Sequence, residues 1–384
     1  MDSNEILIVG VGGAGGRLVD ALAVLAPTAL RTVMIDTDSK ALAASRAVTK
    51  LQIGTSVVKG NGAGGDGAKG RRAANEDVEM IRGLFVSTGM AVVVTGLGGG
   101  TGSTVTTEVL KAAGLAGMTS LCFATQPFGF EGAPRTALAR AAVPEIRAVT
   151  DGLILVPNDK LFESVGSDSI SEAFPKADTA LATGLLALWQ LLTRPGYLNA
   201  GPAELAHVTR PERGIASLAW AEARGRRRAE SAVKQLLAHP MIEGGAVLND
   251  CRSLLVSIVG GEDLTLKDLG DIMEPIKAVC NDEVDITVGT SVDSEWKSRL
   301  LLTLIATRPG GWSTPEARAN TLEPTLTLPT RADAPPPRNG RGGVQTTMQL
   351  EPAGRGRFKN TDPTLMDGGE DLDIPTYQRR GIRL

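Results

Sequence analysis

The sequence predicts an α/β protein with a parallel-sheet first domain, one long central helix, a smaller C-terminal α/β domain and a disordered tail. Three observations carry that expectation. Short uninterrupted apolar runs alternate with helical patterns over roughly the first 165 residues. Two glycine clusters each follow one of those runs directly. After Arg308 prolines accumulate and apolar periodicity ends.

The first apolar run is Ile6–Gly10 (ILIVG), followed by glycines and then Leu18, Leu22 and Leu25 at helical spacing. Thr32–Ile35, Ala91–Thr95, Ser120–Ala124 and Gly152–Val156 read as further strands. β-branched runs of this length, separated by helices, indicate a parallel sheet covered on both faces. From Ser171 to Leu192 the pattern becomes one helix, with Ala177, Leu181, Leu185, Leu188 and Leu192 on one side and Pro195-Gly196 ending it. A helix near 228–238 and strands at Ser253–Val259, Asp285–Val288 and Leu300–Ala306 then form the second α/β region. The domain boundaries expected are 1–170, the helix 171–195, and 196–308. Residues 309–368, with Pro309, Pro315, Pro324, Pro329 and Pro335–Pro337, cannot bury enough apolar surface to offset their ordering entropy and read as a disordered linker. A flexible chain of that length spans about 45 Å on average. A short peptide with mixed apolar and charged residues, 369–384, ends the chain.

Composition excludes more than it assigns. The 384 residues are 42% hydrophobic and 22% charged, as in ordinary globular proteins, so the chain has room for two cores. A net charge of −3 gives no general reason to bind nucleic acid. The start, MDSNE, lacks a basic signal-peptide region, and no apolar run approaches the ~18 residues of a membrane span. Cys122, Cys251 and Cys280 are too far apart in sequence for a metal motif, and His207 and His239 lack ligand spacing. The expectation is a cytoplasmic protein with no direct membrane insertion, no disulfide and no protein-bound metal.

The glycine clusters carry the chemistry. Gly10–Gly16 (GVGGAGG) lies between a strand and its helix, where converging backbone N–H groups bind anions and glycine lets oxygens come close. Taken alone, Gly10, Gly12 and Gly15 with Asp36 at the end of the next strand match the dinucleotide pattern of an NAD-dependent Rossmann oxidoreductase. The second cluster, Thr95–Ser103 (TGLGGGTGS), opens another helix after a distant strand. A nucleoside triphosphate, with three phosphates to solvate, uses two such nests where a dinucleotide needs one. No G-x-x-x-x-G-K-[ST] occurs, which excludes a P-loop.

In these residues the chain resembles the FtsZ and tubulin superfamily, whose signature is G-G-G-T-G followed by a small residue and Gly. Here the run is Gly98–Ser103, with Thr104 in the last place. Asp36–Asp38 with Ala41-Leu42, Gly60–Gly65 (GNGAGG) with Gly70–Ala74, Gln126–Gly132 (QPFGFEG) with Arg135, and Pro157–Leu161 (PNDKL) match further family motifs in order. The resemblance implies a tubulin/FtsZ-like fold that binds GTP or GDP, with Mg²⁺ accompanying the nucleotide. It assigns Gly13, Ala14, Gly15, Gly16 and Arg17 to the first phosphate loop, Arg17 standing where the family has Asn. Gly100, Thr101 and Gly102 would hold phosphates, and Glu131 and Arg135 the ribose and phosphate side. Phe174 would lie on the guanine face. Asp178 would accept from guanine N1–H and N2–H₂, donors that adenine lacks.

Hydrolysis in this family is completed by a neighbouring subunit whose loop reads G-L-I-N-x-D-x-x-D. The equivalent here is Gly196–Glu204 (GYLNAGPAE), which keeps Asn199, puts Gly201 at the first Asp and Glu204 at the second. The resemblance thus implies a cell-division GTPase that polymerises head to tail at the division site. A GTP-binding structural filament with little or no hydrolysis is the alternative that Gly201 raises. Leu372–Arg380 (LDIPTYQRR) resembles the peptide with which FtsZ proteins grip FtsA-like membrane-tethering adaptors, with Tyr377 and Gln378 replacing the usual Phe and Leu. Arg224–Arg228 (RGRRR) is the one basic cluster before the tail, read as a solvated helix face or as a contact with a neighbouring filament or an anionic surface.

Overall fold

The computed structural model describes residues 6–309, apart from 27–29, 86–88, 163–168, 195, 199 and 211–213. Beyond residue 309, the expected linker and the adaptor-binding peptide both lie outside the described residues. The strands are β1 (Ile6–Val11), β2 (Arg31–Asp36), β3 (Thr49–Gln52), β4 (Met90–Gly96), β5 (Thr119–Gln126), β6 (Gly152–Pro157), β7 (Gly196–Leu198), β8 (Ile215–Arg224), β9 (Ser253–Gly260), β10 (Asp285–Val292) and β11 (Arg299–Arg308). The N-terminal helices are α1 (Gly12–Leu25), α2 (Ser39–Ala44), α3 (Thr55–Val58), α4 (Gly67–Glu76), α5 (Val78–Arg82), α6 (Gly100–Leu115), α7 (Ala133–Arg147) and α8 (Asn158–Phe162). The helix expected at 171–192 is α9 (Ile170–Thr193), followed by α10 (Pro202–Thr209), α11 (Arg228–Leu237), α12 (Ala246–Asn249) and α13 (Leu266–Val279).

The strands form one sheet in the order β3-β2-β1-β4-β5-β6-β8-β11-β9-β10-β7. From β3 to β6 every pair is parallel, as the apolar runs predict. Alternate residues of β1 feed different cores. Ile6 and Ile8 pack with Leu18 and Leu22 of α1 and Leu181, Leu185 and Leu188 of α9. Leu7, Val9 and Val11 pack with Val105, Val109 and Leu110 of α6 on the other face. That period-two division is what a sheet covered on both sides requires. A third core gathers β8, β9, β11, α11 and α13 around Leu254, Val256, Ile272 and Leu302.

The two halves meet at β6 and β8, where Ile154 pairs with Ala216 in parallel register. Strand β8 was not expected from the sequence. Its Ala216, Ala219, Ala221 and Ala223 carry helix propensity, and long antiparallel pairing with β11 from Ile215 to Arg224 overrides it. Arg228 also departs from the surface reading of the basic cluster. It is buried, and its guanidinium donates to the Asp263 carboxylate at 2.7 Å and to the Asp263 carbonyl at 2.7 Å. The cluster therefore presents fewer free cations than its sequence suggests.

Helix α9 lies across the seam between the halves. Gly184 brings it so close to β8 that a Cβ there would stand 2.6 Å from the Trp220 ring. Trp220 also meets the His239 ring, with centroids 4.6 Å apart. His239 Nδ1 accepts the Met241 N–H at 3.3 Å, which requires a neutral ring, and burial pushes its pKa down from 6.5 to about 4. A depressed histidine contributes stability that is fully present above pH 6.5 and is lost as pH falls toward 4. Between pH 7 and 5 the loss amounts to about 2 kcal/mol. Urea midpoints of wild type should fall across that interval, and His239→Gln should flatten the dependence. An equally steep decline in the variant would remove His239 as its source.

Candidate functional site

The site lies where strand order reverses. Strands β1 and β4 are neighbours in register Gly10↔Val94 and Val11↔Thr95, yet their following helices, α1 and α6, cover opposite faces. A crevice opens beyond the carboxyl ends of such strands. Here it is a cleft of about 490 Å³. Its walls come from six segments: Gly12, Gly13, Ala14 and Arg17 after β1; Gly64 and Gly65 before α4; Gly96, Leu97, Gly99, Gly100, Thr101 and Gly102 at and beyond the end of β4; Thr125, Pro127, Phe128, Phe130, Glu131 and Arg135 at and beyond the end of β5; Asn158 on α8; and Phe174 on α9.

Both glycine loops end in helix N-termini that are not capped by any side chain, α1 behind Val11 and α6 behind Gly99. Their first-turn N–H groups are donors that an anion can satisfy, reinforced by two helix dipoles. Close approach explains the glycines. A Cβ on Gly12 would stand 3.0 Å from the Gly102 nitrogen, and one on Gly102 would collide with the Gly96 carbonyl. Gly13 and Gly99 have open space where a Cβ would be. Thr101 is held by its hydroxyl, 2.8 Å from that of Thr37.

The loop after β5 is braced from within. Glu131 Oε1 accepts the Phe128 N–H at 2.9 Å, and its other oxygen pairs with Arg135. Asp159, just past β6, accepts the Gly129 N–H at 3.2 Å. Phe128 stacks on Phe130 at 4.8 Å and meets Phe174 edge-on at 5.8 Å, which makes one end of the cleft aromatic. Beyond that end a narrower recess of about 40 Å³ is lined by Asp178, Ala177, Leu18 and Leu181, together with Arg17 and Phe174. Arg17 Nε donates to Asp178 Oδ2 at 3.2 Å. Burial raises the Asp178 pKa and Arg17 opposes the rise.

Of the expected residues, Gly13, Ala14, Arg17, Gly100, Thr101, Gly102, Glu131, Arg135 and Phe174 line the cleft, and Asp178 lines the recess beside it. Gly15 and Gly16 do not line it. Their Cα atoms face the sheet, where a Cβ would meet the Val94 carbonyl and the Met34 side chain respectively. They are glycine for helix-on-strand packing. Asn199 lies outside the described residues. Glu204 sits on α10, which packs against β6, β9 and β11, and its Oε2 accepts the Gly201 N–H at 2.9 Å to close the first turn. Phe128 and Asn158 were quoted within motifs but not given roles, and the structure puts both in the cleft wall.

Asp36 decides against the dinucleotide reading. It is 3% exposed, and its Oδ1 accepts the N–H groups of Thr37 and Asp38 at 2.7 and 3.2 Å. A carboxylate spent on its own loop does not reach a ribose.

Comparison with known proteins agrees with this arrangement. The family model described as Tubulin/FtsZ family, GTPase domain, matches residues 5–166, and that of the FtsZ family, C-terminal domain, matches 214–309. Cell division protein FtsZ of Pseudomonas putida is 32% identical over 388 residues, covering 98% of this chain and 97% of that protein. Its counterpart in Pseudomonas aeruginosa is 34% identical over 306 residues, 79% of this chain and 77% of that one. Among solved structures, an FtsZ dimer of M. jannaschii superposes with a TM-score of 0.70 at 29% identity, covering 79% of this chain and 88% of that one. With both family models matched in order and a relative aligned almost end to end, the chain belongs to the FtsZ family of tubulin-like GTPases.

Proposed function

We propose that the protein is a cell-division GTPase that binds GTP in the cleft and assembles head to tail, with hydrolysis completed where two copies meet. One observation carries the nucleotide assignment: two uncapped helix N-termini, at Gly12 and Gly100, open side by side on one cleft. That is a place for a polyphosphate, and the aromatic end with Phe174 suits a base. On this reading residues 1–170 are the nucleotide-binding domain, 171–195 the linking helix, 196–308 the domain that meets the next copy, and 309–384 the linker and adaptor peptide. Bound GTP supplies the phosphoanhydride that water cleaves. This chain's residues hold the phosphates through backbone N–H groups and place the base. Among the described residues no cluster of three or more His, Cys, Asp or Glu is built for a metal. Mg²⁺ would therefore arrive on the phosphates and keep several waters, as this ion commonly does. The relatives' names support action at the division site, which we place in the cytoplasm. Neither nucleic acid nor direct membrane insertion is part of this reading.

Turnover against protein concentration tests the function. A critical concentration below which phosphate release stops is the expected result. Release proportional to concentration throughout would contradict a shared site. Gly102→Ala should push the first turn of α6 off the end of β4, where its Cβ would stand 2.3 Å from the Gly96 carbonyl oxygen, and weaken GTP about tenfold or more, since overpacking costs about 1–3 kcal/mol. Calorimetry on that variant checks it, and unchanged affinity would move the phosphates elsewhere.

The second reading, a filament with little hydrolysis, rests on Gly201 and on the inward-folded Glu204. Glu204 closes the first turn of its own helix, so a role on a neighbour's nucleotide requires it to leave the Gly201 N–H. Gly201 occupies the N-cap of α10 with ordinary extended backbone, φ −102° and ψ −163°, and a Cβ there would meet nothing closer than Glu204 Oε2 at 3.5 Å. An aspartate therefore fits there without a clash. Gly201→Asp should raise turnover, whereas Glu204→Ala should abolish what remains and lengthen filament lifetime. If both variants hydrolyse GTP at the wild-type rate, this loop takes no part in hydrolysis.

For the tail we propose an FtsA-like adaptor as partner, anchored by Leu372, Ile374 and Tyr377. Removing residues 372–384 should leave GTP binding and filaments intact while abolishing recruitment to an adaptor-coated bilayer. Truncated protein that still reaches such a bilayer would end the tether reading.

A further inference from the structure

The guanidinium of Arg17 and the carboxylate of Asp178 meet across two helices, α1 and α9, at the recess that continues the cleft. The contact is a single one, from Nε to Oδ2 at 3.2 Å. Among the described residues no other hydrogen bond reaches the Asp178 side chain, so Oδ1 and the remaining lone pairs of Oδ2 are available to a ligand. Arg17 is more than half exposed while Asp178 is one-fifth exposed, so the cation reaches in from the rim to a carboxylate set deeper. Arg17 also lines the main cleft, next to Ala14 and Phe174. An arginine at this place is this chain's departure from the family pattern.

We infer that Arg17 is the positioning residue of base recognition: it fixes the Asp178 carboxylate in the orientation that meets the paired donors of a guanine edge. The inference rests on the reading of the cleft as a guanine-nucleotide site and adds a residue that acts through Asp178. Two physical demands make the arginine useful. An aspartate on a helix has free rotation about its side-chain bonds, and bidentate recognition needs one rotamer; a charge-assisted bond to Oδ2 selects it. A half-buried carboxylate also accepts well only while ionised, and burial works against that state. Burial raises the Asp178 pKa, and the cation supplied by α1 opposes part of that rise. Rigid seating of both helices on one core, through Leu18, Leu181 and Leu185, keeps the geometry fixed.

A double-mutant cycle on the full-length chain tests it, reading GTP and GDP affinities by calorimetry for Arg17→Ala, Arg17→Lys, Asp178→Asn and the double variant. Arg17→Ala should weaken GTP and GDP by the same factor, about fivefold for a partly exposed pair. Arg17→Lys should recover most of the loss, since it keeps the charge. In the Asp178→Asn background, Arg17→Ala should change nothing further. Wild-type affinity in Arg17→Ala, losses that multiply in the double variant, or a loss confined to GTP would each overturn the inference while leaving the guanine site standing. Asp178→Asn with unchanged affinity would remove the guanine-edge reading itself, and this inference with it.

Discussion

The parallel pairing of β1 with β4 is the constraint on which the site depends. Both strands end at the same level, with Val11 opposite Thr95, so the two glycine loops leave the sheet side by side. Their helices then diverge to opposite faces, because β1 and β4 flank the point where strand order reverses. Two helix N-termini consequently converge on one space while their bodies bury separate cores. Few other arrangements aim so many backbone donors at one anion. The glycines follow from that crowding: Gly12 and Gly102 are in near contact, and Gly96 lies under Ala14, where a Cβ would stand 2.5 Å from the Ala14 methyl.

Around this fixed pair the rest of the cleft is built on strand ends that the same sheet supplies. Phe128 and Glu131 follow β5, Asn158 follows β6, and α9 brings Phe174 and Asp178 from the far side. Helix α9 serves both halves. Its N-terminal turns face the cleft, while Gly184 and Leu188 pack near the junction with β8. Asp159 and Lys160 continue the connection, one bonded to the loop after β5 and the other paired with Glu243 beyond α11.

The sequence made the first half legible because its signals are local. Apolar runs between helices, with a glycine cluster after each of two strands, fix both the sheet and the anion-binding ends from adjacent residues. What stayed hidden depends on partners distant in sequence. Strand β8 went unread because its alanines carry no strand signal, and only pairing with β11, and with β6 at Ala216, makes it a strand. That a Cβ on Gly15 or Gly16 would meet the Val94 carbonyl or the Met34 side chain likewise shows only in the fold. Arg228 reads as a surface charge until Asp263 is brought beside it. Likewise Asp36 sits at the dinucleotide spacing, and its capture by the N–H groups of Thr37 and Asp38 shows only in the folded loop.

The central claim is that both glycine loops hold one guanine nucleotide. Amide hydrogen exchange of the full-length protein, with and without nucleotide, tests it most directly. The account predicts that GTP slows exchange at Gly12–Arg17 and at Gly98–Gly102 together, and that ATP at the same concentration slows neither. Protection of the first loop alone, or equal protection by NADH, would contradict it.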